Sequence, residues 1–182
     1  MHPFPHQYHV SASGSATGRV TLNHDGVEPI ASSPPVEFGG PGDAWSPEGL
    51  LLAAIADCFV LTFRAVARAG KIDWTALEVE LDGTLDRQDG ITAFTAFTLH
   101  ATLTLAAGAD ATGAESALER AERGCLVSNS LKAPVHLVGL VVVVEEHAML
   151  LHAGRAEIVA DAADGEHQRV VAECPARNDL AT

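Results

Sequence analysis

The chain has 182 residues, a length typical of one domain with at most a small appendage. Its 11 basic and 24 acidic residues give a formal net charge of −13, which excludes binding to nucleic acid or anionic membrane through basic patches. The 47% apolar content excludes bulk disorder. Three cysteines are too few, and an odd number, for a secreted disulfide framework. We therefore expect a cytoplasmic protein with reduced thiols.

The first part of the chain predicts a small sheet followed by a long helix. Short strands are expected at residues 7–11, 18–23 and 27–31, with a tight turn at Asp25-Gly26. The sequence Ser46-Pro47-Glu48 is typical of a helix start, because serine caps the first turn and proline suits it. The helix should extend from residue 47 to 69, with Gly70 as its stop.

This helix is apolar almost all round, which predicts burial in a core. Its charged residues fall on one stripe at helical spacing: Asp57, Arg64, Arg68 and Lys71. The start of the chain has neither a basic beginning nor an apolar run, so we do not expect a targeting segment there. The apolar run at residues 50–63 is short and interrupted by Asp57, so we do not expect it to span a membrane.

The second part predicts a hairpin, a helix and a strand. Strands at residues 76–86 and 91–105 are joined by Asp89-Gly90. A capping box from Thr112 to Glu115 opens a helix that Gly124 ends. A short turn at residues 126–131 precedes an apolar strand at 134–145.

The element order predicts an α+β fold with antiparallel sheets and a long buried central helix. One sheet would leave much of that helix uncovered, so a homodimer is expected. We assign residues 1–146 to the domain and 147–182 to a C-terminal extension of uncertain order, in which Asp164-Gly165 could turn a last hairpin.

Two cysteines are the main candidates for chemistry. Cys58 lies within the apolar helix and Cys125 just past the second helix; each alone is more often a small core residue. If the helices pack together, the pair could act as an attacking thiolate and a resolving thiol. Burial disfavours a thiolate, so a nearby cation is expected, and Arg19 is the best placed in sequence. Cys174 is interpreted as incidental.

Metal and cofactor chemistry has little support in the sequence. The nine histidines form no strong ligand pattern, and there is neither a P-loop nor a dinucleotide fingerprint. We predict no metal and no cofactor.

Two sequence blocks resemble the OsmC/Ohr family. Residues 45–59 are similar to its signature N-P-E-x-L-x-x-A-x-x-x-C-F, and residues 121–131 are similar to its second-cysteine block, usually C-P-V-S. Thr17-Gly18-Arg19 is similar to the turn that supplies the family's arginine. Three departures stand out: Ser46 for asparagine, Leu126 for proline, and Asp57 beside the first cysteine.

The resemblance implies an intertwined homodimer that reduces organic hydroperoxides. Cys58 would be the peroxidatic residue and Cys125 the resolving one, with Arg19 stabilising the thiolate and Glu48 orienting Arg19. Glu48 lies roughly 15 Å along the helix from Cys58, so the Arg19–Glu48 pair would come from the partner subunit. A dithiol reductant, in the Ohr branch a lipoylated protein, would complete the cycle.

The predicted substrate contacts are four aromatic residues, which would form an apolar pocket for the hydroperoxide: Phe59, Phe63, Phe94 and Phe97. Phe59 and Phe63 could equally belong to the core. Two alternative functions stay open at this point, a redox-inactive OsmC-like stress or binding protein and a hot-dog type thioesterase.

Overall fold

The computed structural model describes residues 2–144 and the backbone of two further strands, Arg155–Asp161 and His167–Glu173. The chain forms two compact units, Met1–Ala53 and Ala54–Thr182, whose boundary falls within the first helix. The boundary near residue 146 between domain and extension stays a prediction. Cys174 and the Asp164-Gly165 turn lie outside the described residues.

The first unit contains a three-stranded antiparallel sheet. Its strands are β1 (Ser11–Ser13), β2 (Val20–Asn23) and β3 (Ile30–Ser32), in the order β1-β2-β3. The strand predicted at residues 7–11 is displaced, because the segment that pairs with β2 begins at Ser11. Tyr8 and Val10, which lie within the predicted strand, are exposed.

Helix α1 (Pro47–Gly70) begins and ends as its sequence predicts. The Ser46 hydroxyl caps it by accepting a hydrogen bond from the Gly49 N–H at 3.0 Å. The expected burial all round is wrong for the single chain, in which one narrow stripe is buried: Ile55, Phe59, Phe63 and Ala67. The charged stripe from Asp57 to Lys71 is exposed, as predicted.

The length of α1 also corrects the expectation that its apolar run is too short to cross a membrane. By length and composition alone the 24-residue helix is long enough, and 22% of its most apolar window is buried. This is weak evidence for a membrane span, since core helices of soluble proteins have the same composition. A large exposed apolar surface, such as that of α1, usually marks a site of interaction.

The second unit contains a five-stranded sheet in the order β4-β5-β6-β7-β8. Its strands are β4 (Ala76–Gln88), β5 (Ile91–Leu105), β6 (Val135–Val144), β7 (Arg155–Asp161) and β8 (His167–Glu173). Asp89 and Gly90 both adopt positive φ, 50° and 80°, as a two-residue hairpin turn requires. Strands β5 and β6 are parallel, which corrects the expectation of antiparallel sheets for this pair, and the other neighbours are antiparallel. Two strands within residues 147–182 therefore join the sheet.

Helix α2 (Ala111–Gly124) connects β5 to β6, as a parallel pair needs a crossover. The capping box predicted at Thr112 is wrong: Asp110 is the N-cap, and its Oδ1 accepts from the Gly113 N–H at 3.0 Å. Asp110 lies two positions before Thr112, and aspartate is a preferred N-cap residue, so the helix begins after Asp110. The helix end at Gly124 is confirmed. The predicted α+β class is confirmed, with two helices and two sheets.

Candidate active site

The two helices bring Cys58 and Cys125 together. Cys58 lies in the middle of α1, and Cys125 is the C-cap residue of α2. The helices approach closely here, because a Cβ added to Gly124 would lie 3.2 Å from Thr62 Cγ2. The Cys125 thiol points towards the backbone of α1, with its Sγ 4.0 Å from the Ile55 carbonyl oxygen. Both cysteines are free thiols.

Several hydrogen-bond donors surround the Cys58 sulfur. Burial raises the pKa of this thiol. Four groups lower it: the backbone N–H groups of Val127 and Leu126, the Cys125 thiol and the Thr62 hydroxyl. Their combined effect exceeds that of burial, so the pKa of Cys58 is lowered. All of these donors belong to one unit of the chain.

The neighbouring thiol behaves in the opposite way. Cys125 is only 1% exposed, and this burial raises its pKa; the Cys58 thiolate adds to that effect, while the Ser128 hydroxyl and N–H partly offset it. The pKa values of the two thiols are therefore shifted in opposite directions. Two thiols with pKa values shifted apart can divide the roles of nucleophile and resolving group.

The loop that carries Cys125 is held by its own hydrogen bonds. The Asn129 N–H donates to the Cys125 carbonyl at 3.0 Å, and the Ser130 hydroxyl donates to the Leu126 carbonyl at 2.8 Å. The Asn129 side chain also donates to the Arg123 carbonyl at 3.0 Å. These bonds fix the short turn predicted at residues 126–131, whose centre is a 3-10 turn at Ser128–Ser130.

Arg19 and Glu48 both lie in the first unit, and the structure gives each a different environment. An Arg19 guanidinium nitrogen lies 2.7 Å from Asp43 Oδ2, so Asp43 is its carboxylate partner in the single chain. Glu48 Oε2 is buried and has no hydrogen-bond partner among the described residues. The proposed Arg19–Glu48 pair is thus replaced by Arg19–Asp43 in this chain, and its formation in an assembled protein stays a prediction.

The four predicted substrate contacts differ in burial. Phe59, Phe63 and Phe97 are fully buried core residues, and Phe63 packs edge-on against Trp74 with ring centroids 5.3 Å apart. Phe94 stacks on Phe97 at 4.9 Å and stays partly exposed. Of the four, Phe94 is the one whose ring keeps surface available to a ligand in this conformation.

Sequence reasoning missed the donors on the protein backbone. The groups that lower the pKa of Cys58 within its own unit are neutral N–H, S–H and O–H donors, and the cation expected from Arg19 of a partner subunit stays a prediction. Thr62 could have been identified, because it follows Cys58 by one helical turn. Asp57, suspected of opposing the thiolate, is exposed and does not act on Cys58. Among the described residues, no group of three or more metal-ligating side chains is placed to hold an ion.

Comparison with known proteins decides the family. The model of OsmC-like proteins matches residues 40–138, more than half of the chain, and this range includes both cysteines and Glu48. The chain belongs to the OsmC/Ohr family. Arg19 lies outside the matched range.

Other OsmC/Ohr proteins show the same fold. The structure of an organic hydroperoxide resistance protein OsmC from Legionella pneumophila is 27% identical, with a TM-score of 0.62 over 75% of this chain and 98% of that one. An OsmC-like protein of unknown function from Vibrio cholerae is 16% identical, with a TM-score of 0.67 over 74% and 99% of the two chains. The uncharacterised protein YmaD of Bacillus subtilis is 26% identical over 57% of this chain and 71% of its own length.

Proposed function

We propose that this OsmC/Ohr protein is a thiol peroxidase that reduces organic hydroperoxides to alcohols. The observation that carries the proposal is the pairing of a Cys58 thiol of lowered pKa with a Cys125 thiol of raised pKa. The name of the Legionella relative, an organic hydroperoxide resistance protein, supports the choice of substrate class. We place the reaction in the cytoplasm, where thiols are kept reduced.

The proposed reaction has three balanced steps. The Cys58 thiolate attacks the terminal peroxide oxygen; the O–O bond breaks, the alkoxide takes a proton and leaves as alcohol, and Cys58 becomes a sulfenic acid. The Cys125 thiol then attacks the Cys58 sulfur, forming the disulfide and releasing water. A dithiol reductant, in our proposal a lipoylated protein, reduces the disulfide by thiol exchange and becomes oxidised itself.

Counting thiols after one equivalent of cumene hydroperoxide tests this function. We expect the loss of two thiols per chain and a peptide in which Cys58 and Cys125 are joined, because the two sulfurs are already neighbours. The reductant-free, full-length protein should be assayed with a thiol reagent under denaturing conditions and by mass spectrometry. No loss of thiols would favour the redox-inactive alternative. The thioesterase alternative loses its basis, since the chain belongs to the OsmC/Ohr family.

We also propose that a second copy of the chain covers α1. Between its charged side chains α1 also exposes apolar and small residues, namely Ala54, Leu61 and Ala65. Leu61 is 51% exposed. Glu48 Oε2 is buried without a hydrogen-bond partner in the part of the chain that the structure describes, which fits a need for a cation from a partner. A homodimer would bury Leu61 and would bring a second chain to supply a cation for Glu48.

Replacing Leu61 by glutamate is expected to dissociate this dimer. A carboxylate in the middle of an apolar interface loses its hydration without gaining a partner, which costs several kcal/mol. Sedimentation velocity at low micromolar concentration should show Leu61→Glu as a monomer. The matched control is Ile91→Glu, which places the same side chain at the 71% exposed first position of β5, away from α1 in sequence, and should leave a dimer. A dimeric Leu61→Glu variant would contradict an interface through α1.

A further inference from the structure

The C-terminal end of α2 contacts α1 on both sides of Cys58. The Cys125 sulfur lies 4.0 Å from the carbonyl oxygen of Ile55, which precedes Cys58 by three residues. A Cβ added to Gly124 would lie 3.2 Å from Cγ2 of Thr62, which follows Cys58 by four residues. Residues three and four apart share one face of a helix. The end of α2 therefore lies over the face of α1 that carries Cys58.

The backbone does not explain the glycine at position 124. Gly124 is the last residue of α2, and it is not among the glycines with positive φ, so a residue with a side chain can adopt its conformation. Alanine is also a better helix former than glycine. What position 124 lacks is room, because a contact of 3.2 Å between a Cβ and the Thr62 methyl carbon is tighter than ordinary van der Waals contact.

The spacing between the two helices matters because a disulfide has narrow geometric limits. The Cα atoms of bonded cysteines lie about 4.4–6.8 Å apart, and a pair separated by more than about 7 Å cannot close without backbone movement. Cys125 directly follows Gly124, so a shift of Gly124 away from α1 carries the Cα of Cys125 with it. A side chain at position 124 would thus oppose a bond between Cys125 and Cys58.

We propose that Gly124 is a positioning residue of the cysteine pair: its lack of a side chain lets the end of α2 rest against Thr62 Cγ2, at the spacing from which Cys125 closes a disulfide with Cys58. This inference rests on the proposed function for the place of the disulfide in turnover. The contact acts on the second step, in which the Cys125 thiol attacks the oxidised Cys58 sulfur, since the first step needs Cys58 alone.

Three substitutions address this contact. Gly124→Ala adds the Cβ, and the Thr62 methyl must then give way by a few tenths of an ångström. Thr62→Ser deletes that methyl and retains the hydroxyl, so the double variant regains the space. The matched control is Gly139→Ala, which adds the same Cβ on β6, where it would meet Leu118 Cδ1 of α2 in ordinary contact at 3.4 Å.

The equilibrium of the full-length protein with a glutathione redox buffer tests the spacing without a peroxide. Oxidised glutathione accepts two electrons from the two thiols, so that the protein disulfide forms and two molecules of reduced glutathione are released. Mass spectrometry of the peptide that joins Cys58 to Cys125, after acid quenching, gives the equilibrium constant. A misplacement of 1 Å can cost about a hundredfold, so a few tenths of an ångström in Gly124→Ala should lower the constant by roughly three- to tenfold.

The double variant decides whether the Thr62 methyl is the cause. In the Thr62→Ser background, Gly124→Ala should change the constant by less than roughly twofold, because the two side chains no longer collide. Gly139→Ala should keep the constant of the parent. An unchanged constant in Gly124→Ala, an equal loss in Gly139→Ala, or a loss that persists in the Thr62→Ser background overturns the inference, as does a parent that forms no such disulfide.

A time course with one equivalent of cumene hydroperoxide separates positioning from a general loss of structure. Gly124→Ala should form the Cys58 sulfenic acid at the rate of the parent and convert it to the disulfide more slowly; equal slowing of both steps overturns the inference. A parent that forms the disulfide in the glutathione buffer but consumes no cumene hydroperoxide contradicts the proposed peroxidase and leaves the role of Gly124 intact.

Discussion

Replacement of Cys58 by serine is expected to lower the rate of cumene hydroperoxide reduction by at least roughly a thousandfold, as loss of the nucleophile does in enzymes that depend on one. A serine hydroxyl stays protonated near neutral pH, so it cannot attack the peroxide oxygen as a thiolate does. The donors that surround Cys58 act on a charged sulfur, and they give a neutral hydroxyl far less activation. Peroxide consumption with an excess of a dithiol reductant measures the effect.

Two matched cysteine variants separate attack from resolution. Cys125→Ser should retain the first attack and stop at the Cys58 sulfenic acid, which a sulfenic-acid reagent detects after one equivalent of peroxide. Cys174→Ser should retain turnover, since Cys174 is interpreted as incidental. Full activity of Cys58→Ser would contradict the roles assigned here. So would a reaction that stops at the sulfenic acid in Cys174→Ser but proceeds normally in Cys125→Ser.

The sequence predicted the cysteine pair because two local signals place it. The serine cap and Gly70 define α1 around Cys58, and Gly124 ends α2 immediately before Cys125. Helix limits depend on nearby residues, so they can be inferred from sequence. The resemblance then indicated that these distant positions meet, which no periodicity could show.

The backbone groups that lower the pKa of Cys58, at Val127 and Leu126, could not be predicted in the same way. A backbone N–H leaves no mark in residue type except where proline would delete it. The carboxylate partner of Arg19 was equally hidden, since Asp43 is 24 residues away in sequence and only the folded loop brings it to Arg19. Such choices depend on the path of the backbone, which residue patterns leave open.

Phe63→Ala is expected to destabilise the protein by about 3–5 kcal/mol, the usual cost of removing a buried phenylalanine ring. Phe63 is fully buried and packs edge-on against Trp74, so its loss leaves a cavity and removes an aromatic contact. Denaturant unfolding measures the change, and Phe4→Ala, at an exposed position, should change the free energy of unfolding by less than about 0.5 kcal/mol.

The variant Phe63→Leu distinguishes a core role from a substrate contact. Leucine fills much of the space, so the loss of stability should be smaller than in Phe63→Ala, and the KM for cumene hydroperoxide should stay that of the parent because the ring lies in the core. The matched substitution Phe94→Leu changes the partly exposed ring, and it should raise KM with little loss of stability. If KM rises in Phe63→Leu and not in Phe94→Leu, the Phe63 ring contacts the substrate, which would contradict its assignment to the core.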